Sequence, residues 1–462
     1  MAGRRDPRSL AGHHVLVIGL GRTGASLARS FVARGARVRI CDRRPDAPLP
    51  DVASEQLEVV RGEDGPELLA GIDLVVPSPG VPADAAVLVA AQGAGIPVRS
   101  EIEVAAAAIS APLVAITGTN GKSTTTSLVG AMLAAAGNDV FTGGNLGTPL
   151  IDAADGSHDV VVAEISSFQL EWVEGFHPQV GVLLNVTDDH LDRYRDRAHY
   201  CATKARLFAR QGDGDVAILN RDDAAVAALA PQLQADVWTF GHAVPTAATP
   251  GSRAAWLDGD SVRIREPGRE SVFSLARTAL RGQHNRENVM AALLAARALA
   301  APAKALQAAL DAFRGLRHRL ETVREEAGVV YVDDSKGTNV GALLKSLEGY
   351  RDGSVVLIAG GLAKGGDYTV ARDLLARKVR HLVLYGTARE FLADSWRGTT
   401  ETTVRERFAD AVSAAIASAR GGDVVLLSPA CASMDQFRDY AARGDAFAEM
   451  VEAIEHDAVA RC

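Results

Sequence analysis

Short, nearly unbroken apolar runs punctuate this chain, and longer segments of mixed polarity separate them. His14–Ile18, Arg37–Cys41 and Ile72–Val76 are the first three, with the helix-like Ala25–Arg34 between the first two. Strand, helix, strand in that order is the unit of a parallel sheet. Its strands are buried on both faces and so read as continuous hydrophobic runs. Pro77-Ser78-Pro79-Gly80 is a turn-rich junction, and the Ala-rich Glu101–Ala111 with Pro112 marks the exit from a first domain. A second series opens with Leu113–Thr117, passes a glycine loop into the helix-like Thr124–Ala136, and stops at Gly137. Strand-like runs recur at Asp159–Ala163, Val180–Leu184 and Val216–Leu219. Residues 244–267 are rich in turn formers, and Asp258-Gly259 predicts a hairpin in what reads as an excursion from the core. Glu287–Leu310, almost all Ala and Leu, has the pattern of a buried helical pair. A third series, Val329–Val332, Val355–Ala359, His381–Tyr385 and Val424–Leu427, alternates with helical segments as in a doubly wound sheet. The expected class is α/β, in three domains: 1–105, 106–315 and 316–462.

Composition narrows the function more than the fold. The 462 residues are 47% hydrophobic and 23% charged, an ordinary globular mixture. Lys plus Arg number 49 against 57 Asp plus Glu, a formal charge of −8 that argues against a nucleic-acid partner. Cys41, Cys201, Cys431 and Cys462 show neither paired nor metal-type spacing, as expected of a reduced chain. The longest apolar candidate, Val104–Ile116, is broken by Ser110 and Pro112 and is too short to span a bilayer. Arg4, Arg5 and Arg8 precede Val15–Leu20, a run too brief for a signal-peptide core. A cytoplasmic protein with neither membrane nor nucleic-acid partners is expected.

Four groups of residues carry chemistry. Gly118, Thr119, Asn120, Gly121, Lys122, Ser123 and Thr124 stand between a strand and a helix. Glycines there let backbone N–H groups approach phosphate, Lys122 suits β/γ-phosphate charge, and the Ser123 hydroxyl suits Mg²⁺. This loop is shorter than the common phosphate-binding form, since Ile116 stands where its first glycine would fall. Gly19-Leu20-Gly21-Arg22-Thr23-Gly24, with Asp42 ending the next strand, fits a dinucleotide fingerprint. Such a turn reads a diphosphate rather than a nicotinamide, and Arg22, Arg43 and Arg44 favour an anion. Glu164, His190 and Lys204 follow central strands, where open sheets bind ligands; a carboxylate and an imidazole there suit metal or acid–base work. Arg193, Asp189 and Asp192 read as salt-bridge or helix-start residues. In the last series Asp334, Lys336, Thr338, Lys364 and Ser433 sit in loops just after strands. An NAD-dependent dehydrogenase leaves the Lys122 loop and the last domain unused. A non-catalytic nucleotide sensor has no need of the carboxylate, imidazole and lysines set together.

In order along nearly the whole chain, GLGRTG, SPG, GTNGKST, NLG, EISSFQLE, NVTDDHLDRY, KARLF, GQHNRENV, GLRHRLE, DDSKGTN and SPACASMDQF resemble the Mur ligases. The resemblance implies Rossmann-like first and last domains around a P-loop-type central ATPase domain. It implies an ATP-dependent ligase that joins D-glutamate to UDP-N-acetylmuramoyl-L-alanine through an acyl phosphate; the runner-up adds L-alanine to the same sugar acid. Lys122 and Ser123 would serve the ATP phosphates. Ser123, Glu164, His190 and Lys204 would hold two Mg²⁺ ions, with Lys204 matching a lysine carbamylated in the family. Asn285, Asn288, His318, Arg319 and Asp334 match adenosine-side contacts, and Lys336 the lysine near the transferring phosphate. Thr338, Lys364 and Ser433 match the amino-acid pocket, with Tyr440 standing where relatives carry Phe. Arg22, Thr23, Asp42, Arg43, Arg44, Ser78 and Asn145 match the UDP-substrate end. A monomer is expected.

Overall fold

The computed structural model describes residues 10–52, 54–187, 193–246, 253–280, 282–363 and 367–454. They form two compact units that divide after Phe313.

The first unit contains two sheets. Strands β1 (His14–Ile18), β2 (Arg37–Asp42), β3 (Leu57–Arg61) and β4 (Leu74–Pro77) pair in parallel in the order β3-β2-β1-β4. The order reverses at β1, so its carboxyl end, where Gly19 follows, is where such sheets bind ligands. Strands β5 (Leu113–Thr117), β6 (Val140–Gly144), β7 (Val160–Glu164), β8 (Val180–Leu183), β9 (Val216–Asn220) and β10 (Asp236–Gly241) continue the pattern. With β11 (Arg253–Asp258), β12 (Ser261–Glu266) and β13 (Arg269–Ser274) they make one sheet ordered β13-β12-β11-β10-β9-β8-β5-β7-β6. β5 is the point where this order reverses. The hairpin expected at Asp258-Gly259 is present, with Asp258 opposite Ser261. It is no excursion: β11 pairs in parallel with β10 and extends the central sheet. The Ala-rich helical pair is also present, as Gln283–Ala298 and Ala303–Ala312.

Apolar side chains from both sheets of this unit merge in one core that runs from Val15 and Ile102 to Leu150, Phe176 and Leu219. Polar links reinforce it. Glu101 Oε1 accepts from Ile151 N at 2.7 Å, Ser26 Oγ donates to Asp152 at 3.1 Å, and Arg34 reaches Ala154 O and Asp155 at 3.2 Å.

The second unit holds β14 (Glu321–Glu326), β15 (Val329–Asp333), β16 (Val355–Gly360), β17 (Val379–Tyr385), β18 (Glu401–Val404) and β19 (Val424–Ala430). Their order is β14-β15-β19-β16-β17-β18, and only β14 pairs antiparallel. Apolar clusters cover both faces. Among the described residues no helix is long and apolar enough to cross a membrane.

Candidate active site

Strand β5 delivers the chain into Gly118–Gly121, and the helix Lys122–Ala135 leaves it. Gly121 adopts φ +86°, and a Cβ there would lie 2.2 Å from Asn288 Oδ1, so only glycine fits. Asn120 N donates to Asn185 Oδ1 at 2.9 Å and Thr119 N to the Asn185 carbonyl at 3.0 Å, which clamps the loop beyond the end of β8. Thr125 Oγ1 donates to Asn288 Oδ1 at 3.3 Å, and Asn288 Nδ2 to Asn285 Oδ1 at 3.2 Å.

Two ammonium groups meet at one carbonyl oxygen. Lys122 Nζ donates to the Gly118 and Thr119 carbonyls at 2.9 and 2.8 Å. Lys204, on the helix Arg197–Ala205 and only 1% exposed, donates to Gly118 O at 3.0 Å and lies 4.5 Å from the centre of the Tyr200 ring. Such a corner concentrates positive potential and suits an anion. The carboxylate stands beside it. Glu164, the last residue of β7 and 3% exposed, accepts from Ser123 Oγ at 2.5 Å on Oε2 and from Asn145 Nδ2 at 2.6 Å on Oε1. Register explains the second bond: Gly144 lies opposite Glu164 on β6, and Asn145 N donates to the Glu164 carbonyl at 2.8 Å.

His190 lies outside the described residues, as do Asp189 and Asp192. The chain is pinned on either side of them. Val186 N donates to Asp223 at 2.7 Å; farther on, Arg193 pairs with Glu171 at 2.6 Å and Tyr194 OH donates to Glu171 at 2.7 Å. Arg193 is thus the salt-bridge residue its sequence context suggested.

The first sheet gathers a second group. Asp42 accepts from Leu20 N at 2.9 Å, from Arg44 N at 2.9 Å and from the Arg44 side chain at 3.1 Å. The Arg44 guanidinium holds the Asp42 carboxyl well below the usual carboxylate range. Arg43 pairs with Asp64 at 3.4 Å, while Arg22 donates to Gly147 O at 2.8 Å; Thr23 is half-buried in the helix that follows. Ser78 Oγ is buried without a hydrogen-bond partner, and a small cavity opens here along Ser78, Pro79, Glu101, Phe168 and Gln169.

The second unit gathers a third group around the carboxyl ends of β15 and β19. Asp334 accepts from Ser346 Oγ at 2.6 Å and Ser428 Oγ at 2.9 Å. Burial pushes its carboxyl up to about 6, against the pull of those hydroxyls. His318 Nδ1 lies 2.7 Å from Asp333 Oδ2, and the positive charge of Arg319 acts on Asp334. Lys336 Nζ sits 4.0 Å from the centre of the Tyr440 ring, Thr338 N donates to Lys336 O at 2.8 Å, and Ser433 is buried nearby in sequence to Cys431. Lys364 lies outside the described residues.

Sequence reasoning did not foresee the Asn145–Glu164 bond or the clamp by Asn185. Both residues lie in recognised motifs, so position in the motif was the available signal. Thr124 is half-buried in the first helical turn.

Three family models match the chain: the Mur ligase MurD-like N-terminal domain over residues 13–100, the Mur ligase middle domain over 116–296, and the Mur ligase glutamate ligase domain over 318–431. The UDP-N-acetylmuramoylalanine–D-glutamate ligase of Geotalea uraniireducens is 45% identical over 454 residues, spanning 96% of this chain and 98% of the relative. The enzyme of the same name from Geobacter metallireducens is 44% identical with the same coverage. Among solved structures, a type C pseudomurein peptide ligase from Methanothermus fervidus superposes with a TM-score of 0.60 at 17% identity, over 96% of this chain and 100% of that one. The MurF ligase of Thermotoga maritima gives 0.60 at 17% identity, over 97% and 96%. At such identity these two speak for the fold, and the expected three-domain α/β class is borne out.

Proposed function

This chain belongs to the Mur ligase family, and we propose that it joins D-glutamate to UDP-N-acetylmuramoyl-L-alanine at the expense of ATP, in the synthesis of peptidoglycan precursors. The observation that carries this reading is the 45% identity, over nearly the full length, with a ligase of that name. The γ-phosphoryl group passes from ATP to the muramoyl-alanine carboxylate and leaves ADP; the neutral D-glutamate amine attacks the acyl phosphate, and the tetrahedral adduct loses a proton and expels phosphate, leaving the amide.

The residues suit that chemistry. The Gly118–Ser123 backbone and the helix N-terminus behind it bind phosphate. Lys122 exchanges the carbonyls of Gly118 and Thr119 for β/γ-phosphate oxygens. Ser123 and Glu164 fit Mg²⁺, since a hydroxyl and a carboxylate already in contact, both buried, are hard oxygen donors. His190 and Lys204, the latter as its carbamate, would supply the further ligands for two ions. When bound, the metal neutralises the charge gathered between ATP and the acceptor carboxylate. Asn145 aims Glu164 through its 2.6 Å bond.

Asn285, Asn288, His318, Arg319 and Asp334 are assigned to adenosine, and Lys336 to the transferring phosphate. Thr338, Lys364, Ser433 and Tyr440 are assigned to D-glutamate. Arg22, Thr23, Asp42, Arg43, Arg44, Ser78 and Asn145 are assigned to the UDP end, where the unpartnered Ser78 hydroxyl supports a polar ligand. Residues 1–105, 106–315 and 316–462 then serve UDP-substrate, ATP and amino acid in turn. The enzyme works as a monomer in the cytoplasm, on small molecules alone.

Phosphate release from ATP tests the reading. It should require UDP-N-acetylmuramoyl-L-alanine and D-glutamate together. Turnover with L-alanine and the unsubstituted UDP-muramic acid, and none with D-glutamate, would overturn it.

A further inference from the structure

Arg443, on the helix Tyr440–Glu452, is 0% exposed. Its Nε donates to Ser335 Oγ at 2.9 Å and its Nη2 to the Ser335 carbonyl at 2.7 Å. Its Nη1 donates to Tyr385 OH at 3.1 Å and to the Cys431 carbonyl at 3.2 Å. Every one of these acceptors is neutral, and among the described residues no carboxylate is bonded to the guanidinium. Burying a cation this way is costly, and charge-assisted bonds to carbonyls and hydroxyls must offset the cost. Filling volume does not require it, because an apolar side chain of similar size does so without desolvating a charge. What arginine alone adds is a planar fork with donors in fixed directions.

The places it grips are informative. Ser335 stands between Asp334 and Lys336 just past β15, Cys431 follows β19 and precedes Ser433, and Tyr385 ends β17. Ser335 Oγ also donates to Tyr440 O at 2.8 Å, so the same serine ties in the start of the helix whose tyrosine ring covers Lys336. The neighbouring backbone leaves room for the fork. A Cβ on Gly361 would lie 3.3 Å from Arg443 Nη1 and 2.2 Å from Ala432 O.

We propose that Arg443 is a positioning residue that holds the Ser335–Thr338 segment in register with the Cys431–Ser433 segment. The groups assigned above to the transferring phosphate and to D-glutamate therefore stay matched to each other. The tether stands on geometry alone; its effect on D-glutamate rests on the functional reading above.

Two measurements on the full chain test it, with Arg443→Lys and Ser335→Ala as variants. The lysine keeps the charge and loses the fork; the alanine keeps the arginine and removes one of its acceptors. Amide hydrogen exchange, which needs no substrate, should quicken about ten-fold at 335–338 and 431–433 in Arg443→Lys and less in Ser335→Ala, with β1 and β5 unchanged. Kinetics should give a KM for D-glutamate raised about ten-fold in Arg443→Lys, with KM for the UDP substrate within about two-fold of the starting value. The double variant should cost less than the product of the singles, because both cut one link. Unchanged exchange at both segments would overturn the tether, as would a uniform rise in every KM that follows a lowered melting temperature. Quickened exchange in a chain that never turns over D-glutamate would support the tether and count against the functional reading.

Discussion

The turn Gly19–Gly24 after β1 and the loop Gly118–Gly121 after β5 hold equivalent places. Each lies where its sheet reverses strand order, and each leads into a helix. Their treatment of charge differs. In the first, the Asp42 carboxylate takes the Leu20 and Arg44 amides and the Arg44 side chain, while Arg22 rests on the Gly147 carbonyl. In the second, Lys122 rests on the Gly118 and Thr119 carbonyls, acceptors that a phosphate can replace. A glycine turn by itself names neither ligand nor chemistry. On the proposed function, the surrounding charges separate a site that only grips a diphosphate from one that moves a phosphoryl group.

Removing the replaceable cation should have the largest effect. Lys122→Ala is expected to lower kcat by about 10³-fold, the loss typical of one preorganised stabiliser of transition-state charge. Steady-state phosphate release measures it, and a loss under ten-fold would place the two turns in one class.

Lys204 comes next. An ammonium about 4 Å from Mg²⁺ is repelled by on the order of 8 kcal/mol at an effective dielectric of 20, twice the unit-charge value. A carbamate reverses the sign. Lys204→Arg, which keeps the positive charge, is therefore expected to be about 100-fold slower or worse, whereas Lys204→Ala regains some turnover when acetate is supplied. Normal rates in the arginine variant would remove the carbamate from the mechanism.

At the first turn the effect should be smaller and confined to binding. Asp42→Asn leaves Arg44 without its anion, and KM for the UDP substrate should rise about ten-fold with kcat nearly unchanged. Calorimetry with NADH should register no binding at this turn. NADH binding in place of the UDP compound would reverse the assignment.

Sequence pattern located the interior strands best. His14–Ile18 and Leu113–Thr117 match the structure end to end, because strands covered on both faces are unbroken apolar runs. β3, β6, β13, β14 and β18 escaped notice, and all five are sheet edges. Few of their side chains are fully buried: Leu57–Arg61 and Glu321–Glu326 mix apolar residues with charges, and Val140–Gly144 ends in two glycines. β10, in the interior, was missed as well; its Asp236, Thr239 and Gly241 interrupt the run. The site shows a similar division. Lys122, Ser123 and Glu164 were legible because each stands at a strand end or a helix start. Asn145 on Glu164 depends on register between β6 and β7, and Arg443 on Ser335 joins positions far apart in sequence. Neither distance is encoded locally.

The carboxyl of Glu101, set against Ile151 N, gives the smallest effect and the widest reach. Burial pushes it up to about 7 from 4.5. The native chain therefore keeps a proton that the unfolded chain sheds between those values, so this group makes stability fall as pH rises through that window. Glu101→Gln keeps an acceptor and drops the charge. Its advantage in melting temperature should grow from nothing near pH 4.5 to a few degrees at pH 8, at most about 3 kcal/mol. An advantage independent of pH would disprove the assignment. Because this residue sits where the first sheet's core runs into the second's, the same linkage bears on modular engineering. Residues 10–313 should melt as a single cooperative block. A chimera that exchanges the first hundred residues for those of a relative should then stay foldable only if the segment Leu150–Asp155 travels with them.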